Sequence, residues 1–519
     1  MDPRRFLRSS ALALAATGAL LSGCTAGDSS PSDATSGGSG SGTGGARTAP
    51  SAELKPYYAQ KLSWRDCGAE GFQCATLKAP LDYAKPSGDS VKLAVARKKA
   101  TGPGARIGSL HVNPGGPGGS AVEYLQAYAG VGYPAPVRAR YDLVAMDPRG
   151  VARSEPIECL DGKGMDKHTQ TDQTPDTQLE AAKLIDSLKG FAEGCKERSG
   201  RVLPHVSTAN AARDMDVLRA VLGDAKLSYV GASYGTFLGA TYAELFPART
   251  GRLVLDGAMD PSLSARELNR DQTAGFETAF QSFANDCVKR KDCPLGTTSV
   301  VDASDRLTEF FADVDAEPVP TGTARALGES LATTGVLTAM YDEAAWPQLR
   351  AALTSAMGGD GAALLGLADT YYERDPDGGY ANLMFANAAV NCLDAPPAFT
   401  DAGQVEAAVP DFQRASPVFG RNFAWSALNC SYWPSPATGT PHRIEAKGAA
   451  PLLVVGTTRD PATPYKWSQS LASQLSSGTL LTYDGDGHTA YGRGSDCIDT
   501  AINTYLLEGT VPPDGKRCR

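Results

Sequence analysis

The apolar positions of this chain change their spacing along its length. Over residues 90–95 they alternate with polar ones, at Val91, Leu93 and Val95, which predicts a half-buried strand in an antiparallel N-terminal region. Beyond it the apolar runs become short and nearly continuous, at residues 109–112, 141–146, 227–230, 252–255, 452–455 and 479–483. Each runs into turn-forming residues. Strands buried on both faces carry such runs, so the pattern predicts a mostly parallel central sheet flanked by helices, an α/β architecture. A helix is expected over residues 210–222, capped by Thr208 and stopped by Gly223, with Met215, Leu218 and Leu222 on one face. Another is expected from Thr236 to Phe246.

The longest interval without a buried-strand run lies between residues 255 and 452, and it contains helical patterns at 275–288 and 363–372. Residues 261–440 are therefore expected to form a helical cap inserted over the strand ends, where open α/β sheets bind their ligands. Residues 51–260 and 441–519 would form the sheet-bearing core. A chain of 519 residues is long enough for both.

The N-terminus adds a location. Residues 1–23 carry Arg4, Arg5 and Arg8 ahead of an apolar stretch, 11–21, shorter than the ~20 residues a membrane span takes. That is the layout of an export signal, whose route stays open. It closes on Leu21-Ser22-Gly23-Cys24, which resembles a bacterial lipobox, in which the cysteine becomes the lipidated first residue; cleavage nearby with free secretion is the alternative. Residues 24–50 are dominated by Gly, Ser, Thr, Ala and Asp, a composition that buries no core and behaves as a flexible tether. The expected location is the outer face of the cell membrane, or outside the cell.

Cysteine usage agrees with export. Of 11 cysteines, setting Cys24 aside leaves an even number for disulfides. They fall in sequence-local pairs, Cys67 with Cys74, Cys159 with Cys195, Cys287 with Cys293, Cys392 with Cys430 and Cys497 with Cys518, and this nearest-neighbour connectivity is the expectation. No C-x-x-C pair occurs and the five histidines are scattered, so neither a metal nor a cofactor is expected. A net charge of −9 without a basic patch excludes a phosphate-backbone partner.

The chemistry centres on Gly231-Ala232-Ser233-Tyr234-Gly235, directly after one apolar run and directly before a helix. A serine at a sharp strand-to-helix turn needs small neighbours, and the context makes Ser233 a nucleophile on an elbow. Upstream, the loop from Asn113 through Pro114 to Gly119 and Ser120 can turn bare backbone amides toward an oxyanion, with Gly116 and Tyr234 the expected donors. Downstream, Asp460 follows the 452–455 run and His488 follows the 479–483 run on a glycine-rich loop. Serine, acid and histidine then occur in the chain order of α/β-hydrolases. Asp256, after the strand next to the elbow, competes with Asp460 for the role of acid. Asp484 and Asp486 lie too near His488 to partner it and are expected to shape its loop, while His111 reads as a strand residue and His168, His205 and His442 lack strand-end contexts.

Residues 113–119, Asp147-Pro148-Arg149-Gly150, residues 231–236, the Thr-Arg-Asp-Pro around Asp460 and the Gly487-His488 pair together resemble the tripeptidyl aminopeptidase and proline iminopeptidase branch of the α/β-hydrolases, the exported actinomycete peptidases among them. The likeness covers Trp64 to the C-terminus. It departs at Pro114, where proline iminopeptidases commonly carry histidine. The resemblance implies a serine exopeptidase that removes tripeptides or similar short N-terminal units from peptide substrates through an acyl-enzyme. Such an enzyme needs a carboxylate for the substrate's amino terminus, and Glu373, Asp375, Asp377 and Asp394 in the cap are the candidates, Glu373 and Asp394 foremost. An esterase or lipase on the same fold, and a surface lipoprotein that kept the fold without catalysis, are the competing readings.

Overall fold

Ten strands form one sheet: β1 (Arg65–Asp66), β2 (Phe72–Pro80), β3 (Ser90–Lys98), β4 (Gly108–Asn113), β5 (Tyr141–Met146), β6 (Leu227–Ala232), β7 (Thr250–Asp256), β8 (Leu452–Arg459), β9 (Gly478–Asp486) and β10 (Lys516–Cys518). They appear in a computed structural model that describes residues 48–519. The export signal, Cys24 and the tether as far as residue 47 lie outside the described residues.

The spatial order is β1-β2-β3-β5-β4-β6-β7-β8-β9-β10. Pairings from β1 to β3, and of β3 with β5, are antiparallel; those from β5 through β4 to β10 are parallel. The alternation at Val91, Leu93 and Val95 buries one face of β3, whereas all six positions of β4 are buried. Residues of β8 divide between two cores: Leu452 and Val454 join the layer holding Met215, Leu238 and Leu471, while Leu453 and Val455 join the layer holding Val122, Val137 and Ile502. That two-residue period is what a strand covered by helices on both faces requires. Because β4 lies between β5 and β6, the winding reverses there, and a crevice opens beyond the carboxyl ends of these strands.

A run of helices from Ala265–Cys287 to Gly420–Ser426 occupies the interval between β7 and β8. Its Phe276, Phe280 and Leu331 belong to the same buried layer as Met215 and Leu238. A second excursion, absent from the sequence reading, fills the link from β5 to β6 with helices Gly162–Thr169 and Gln178–Ser199. Asp166 ties it to the larger insertion, accepting from Arg374 Nε at 2.7 Å and from the Tyr380 hydroxyl at 2.7 Å. Five disulfides join the cysteines in the nearest-neighbour pairs that the sequence suggests.

One helix start differs from expectation. The helix runs Thr208–Leu222 with Ser207 at its N-cap position, so Thr208 is its first residue rather than its cap. The N–H of Thr208 donates to Asp394 Oδ1 at 2.8 Å. A carboxylate from the insertion thus meets one of the free amides of the first turn, and the positive end of the helix dipole favours it there.

Buried charge ties the antiparallel edge to the parallel part. Arg149, in the turn after β5, is fully buried and grips Asp214 of the helix Thr208–Leu222 with two bonds of 2.7 Å. It also donates to the carbonyls of Pro80, Leu81 and His205. A guanidinium forked this way satisfies both ions' geometry, and losing one partner strands the other in an apolar setting. Arg149→Met should therefore lower stability by about 3–5 kcal/mol in urea unfolding, and adding Asp214→Leu should recover part of that loss.

Candidate active site

Ser233 sits between β6 and the helix Tyr234–Leu245 with φ 56° and ψ −124°. This conformation is sparsely populated for residues with side chains and costs on the order of 1–3 kcal/mol. Its surroundings hold it. The Ser233 N–H donates to the carbonyl of Asp256 at 2.9 Å, and its carbonyl accepts from the Thr236 hydroxyl at 2.6 Å. A methyl group on Gly231 would lie 2.4 Å from the Gly235 carbonyl oxygen, and one on Gly235 would lie 2.9 Å from Asn113 Oδ1. Strand, turn and helix can approach this closely only because both positions lack side chains.

The loop after β4 lies against the elbow. A Cβ on Gly115 would stand 2.8 Å from Ser233 Cβ and 3.1 Å from the Tyr234 nitrogen. Gly115 and Gly116 have φ of 97° and 112°, and Asn113 Oδ1 accepts from the Gly115 N–H at 2.9 Å. The backbone N–H groups of Gly116 and Tyr234 take part in no hydrogen bond among the described residues. Two such amides flanking a serine can meet a developing oxyanion. Asp147 steadies the far end of the loop through Ser120 Oγ at 2.8 Å and Val122 N–H at 2.9 Å.

Asp460 and His488 meet on the loops after β8 and β9. His488 Nδ1 lies 2.9 Å from both carboxylate oxygens of Asp460, which is buried and also accepts from the amides of Ala462, Thr463 and Thr489. A carboxylate so placed holds the imidazole in one tautomer and one orientation. Asp256 is the nearby rival, and its oxygens accept instead from the amides of Ala490 and Tyr491. It therefore anchors the histidine loop by its backbone, and burial pushes it up to about 6. His488 Cε1 comes within 3.3 Å of the position a Cβ on Gly257 would take, one residue past the Asp256 whose carbonyl bonds the elbow. The Ser233 hydroxyl has no hydrogen-bond partner among the described residues, and serine–histidine contacts of this kind commonly tighten with substrate present.

A cavity of about 440 Å³ opens at the elbow, with Gly116, Ser233 and Tyr234 in its lining. The insertion contributes Phe276, Tyr341, Tyr371 and Asp394, and the 162–199 excursion contributes His168, Leu184 and Phe191.

Against known proteins, a family model described as "TAP-like protein" matches residues 416–518. "Serine protease Hip1" of Mycobacterium tuberculosis is 39% identical over 488 residues, covering 89% of this chain and 92% of the relative. "Carboxylesterase B" of the same species is 38% identical over 479 residues, covering 89% and 91%. "Tripeptidyl aminopeptidase" of Streptomyces coelicolor is 34% identical over 476 residues, covering 86% and 84%. The chain belongs to the tripeptidyl aminopeptidase-like family of α/β-hydrolases.

As a serine hydrolase of this family, the chain distributes its remaining candidate residues unevenly. Asp394 lines the cavity. Its oxygens accept from Thr208 alone, from the N–H at 2.8 Å and the hydroxyl at 2.5 Å, with no cation paired to them among the described residues. Glu373, Asp375 and Asp377 do not line the cavity; Asp375 accepts from the Gly379 N–H in a turn of its own. Asp484 and Asp486 pair with Arg459 at 3.2 and 2.9 Å, bracing the β8 and β9 loop ends. His111 is buried in β4, where desolvation pushes it down to about 3. His168 follows no strand, as expected, but lies on the helix Gly162–Thr169 where it lines the cavity, stacked on Phe191 at 4.8 Å.

Sequence reasoning missed Thr463 and Tyr341. Thr463 Oγ1 donates to Asp460 Oδ2 at 3.0 Å and stands 3.4 Å from His488 Nδ1. Its signal was present, since a Thr three residues after an Asp that caps its amide is turn chemistry. Tyr341 accepts the His488 N–H on its carbonyl at 2.9 Å, and nothing local in the sequence announces that.

Proposed function

We propose that this family member is an exported serine exopeptidase that removes tripeptides or similarly short units from the free amino terminus of peptides. Ser233 is its nucleophile, His488 its base and acid, and Asp460 the carboxylate that orients and stabilises the imidazole. His488 Nε2 takes the proton from Ser233 Oγ as that oxygen attacks the peptide carbonyl, and the oxyanion is met by the amides of Gly116 and Tyr234. Each such donor is worth ~3 kcal/mol in the transition state. The histidine then protonates the leaving amine. Water repeats the sequence on the acyl-enzyme and frees Ser233.

The observation that carries the exopeptidase reading is Asp394. Burial pushes it up to about 7, against ~3.9 for a free aspartate, because no cation accompanies it. An unblocked peptide supplies that cation as its terminal ammonium. An ester offers none, which favours the peptidase reading over the esterase one. Residues 261–440 act as the cap over the 51–260 and 441–519 core, and residues 162–199 serve as the facing wall. Glu373 has no part in this scheme. The chain is held outside the cell through lipidated Cys24; among the described residues no helix is long and apolar enough to cross a membrane.

Purified protein should cleave unblocked Ala-Pro-Ala amides far better than N-acetylated ones, and cleavage of short esters alone would overturn the assignment. Ser233→Ala and His488→Ala should abolish turnover without unfolding. Asp460→Asn should lower kcat by about 10⁴, whereas Asp256→Asn should act mainly through a less stable histidine loop; the opposite ranking would exchange their roles.

Asp394→Asn should raise KM for unblocked substrates with little change in kcat. The sign with pH follows from its raised ionisation. Below about 7 the carboxyl is neutral and loses the ammonium, so KM should climb as pH falls through that value. Above ~8 the substrate amine itself deprotonates and KM should climb again. A KM that is flat on the acid side, or unchanged in Asp394→Asn, would remove Asp394 from recognition. Cys24→Ala should release the protein from membranes into the soluble fraction.

A further inference from the structure

We infer that the Tyr341–Asp342 corner of the insertion is a positioning brace for His488, so that the insertion that walls the cavity also aligns the base. The inference rests on the roles of Ser233, Asp460 and His488 proposed above. Asp460 fixes only one edge of the imidazole; the peptide that carries it must be fixed too. Its carboxyl side is held within the core, where Thr489 adopts φ 67°, Thr457 donates to the Thr489 carbonyl at 3.0 Å and Asp256 takes the next two amides.

The remaining groups of His488 are held from the insertion. Its N–H donates to the Tyr341 carbonyl at 2.9 Å, just past the helix Glu329–Met340. The Tyr341 ring meets the imidazole edge-on, with centroids 5.5 Å apart. On the other side Arg493 donates to the His488 carbonyl at 2.7 Å, and its second nitrogen donates to Asp342 at 3.0 Å. Gly487 makes room for this arginine, since a Cβ there would lie 2.6 Å from the guanidinium nitrogens.

Two neighbouring residues of the insertion therefore reach both peptide groups of the histidine, one directly and one through Arg493. Tyr341 also lines the cavity. A bound substrate thus touches the residue that fixes the base, and alignment and occupancy share one contact. The Asp342 side chain is 54% exposed and that of Arg493 19%, and such an ion pair adds little to global stability. Its effect lies in where it puts the His488 carbonyl, so its loss belongs in kcat rather than in melting.

The test compares Asp342→Asn, Arg493→Met, the double variant and Asp342→Glu in the full chain. It measures kcat and KM on an unblocked tripeptidyl anilide, the rate at which a fluorophosphonate labels Ser233, and the thermal midpoint. Each single variant should lower kcat and the labelling rate about tenfold, the scale of a small misplacement of a reacting group, with KM and midpoint unchanged. The double variant should be no worse than the worse single one, and Asp342→Glu should restore most of the rate. Wild-type kcat in both single variants, additive losses, a loss confined to KM, or a loss that tracks the midpoint overturns the brace. Failure of the triad reading looks different: His488→Ala would label at the wild-type rate, and both inferences would fall together.

Discussion

The strained backbone at Ser233 is the constraint on which the site depends. A residue with a side chain at φ 56° and ψ −124° will relax unless several independent contacts forbid it. Here the contacts come from every direction. The neighbouring strand supplies the Asp256 carbonyl, the helix supplies the Thr236 hydroxyl, and the Tyr229 hydroxyl under the turn donates to the Gly235 carbonyl at 2.8 Å. Glycines at 231, 235 and 239 let the elbow helix press on β6 and β7, where a Cβ on Gly239 would lie 2.7 Å from both Tyr229 and Leu255. Together these contacts hold the strained turn and keep the serine at its tip, on the cavity wall beside the glycine loop.

The buried carboxylates of this molecule differ in what accompanies them. Asp214 is forked by Arg149, and Asp216 is shared by Arg219, Arg249 and the Tyr58 hydroxyl. Asp147 and Asp256 each collect backbone amides, and Asp271 is met by Lys466 and the Trp467 indole. Amides alone do not offset burial in full, since Asp147 and Asp256 are both pushed up, and Asp394 is pushed up to about 7. Among the described residues, Asp394 is the one cavity carboxylate with a single neutral neighbour, Thr208, whose hydroxyl also lies 2.5 Å from that of Tyr234. Asp394 is thereby linked by two hydrogen bonds to Tyr234, the residue that follows Ser233.

What was legible in the sequence is what depends on near neighbours in the chain. The β4, β5, β6, β7, β8 and β9 strands, the elbow and the Asp460 and His488 loops are set by residues a few positions apart, and the disulfides join cysteines that are each other's nearest neighbours in the chain, at separations of 6 to 38 residues. The strand runs grew at their ends because polar residues such as Asn113, Thr457 and Arg459 can extend a strand whose pairing partner is fixed. Contacts across long separations were not legible. Thr208 looked like a cap because it precedes a helix, yet its hydroxyl is taken by Asp394 from the insertion. The helices over 162–199 looked like part of the core, since nothing in their own pattern says which element they face. Glu373 and Asp394 were equivalent as charges in a cap; only the fold separates a cavity wall from a turn.

The placement of the insertion ties it to two parts of the site at once. It leaves the sheet after β7 and returns at β8, so its two roots lie beside Asp256 and Asp460, the two carboxylates that hold the histidine loop. Neither root needs to move for the cap to change its length or its lining, because both ends are paired into the sheet. Yet the insertion is not independent of the core loops, since the carbonyl of Tyr341 takes the His488 amide and the side chain of Asp394 takes the Thr208 amide. One contact reaches His488 and the other reaches the helix packed beside the elbow. A change in the cap that enlarges the cavity while shifting either corner would alter turnover along with preference, because packed interfaces of this kind adopt discrete arrangements rather than deforming smoothly.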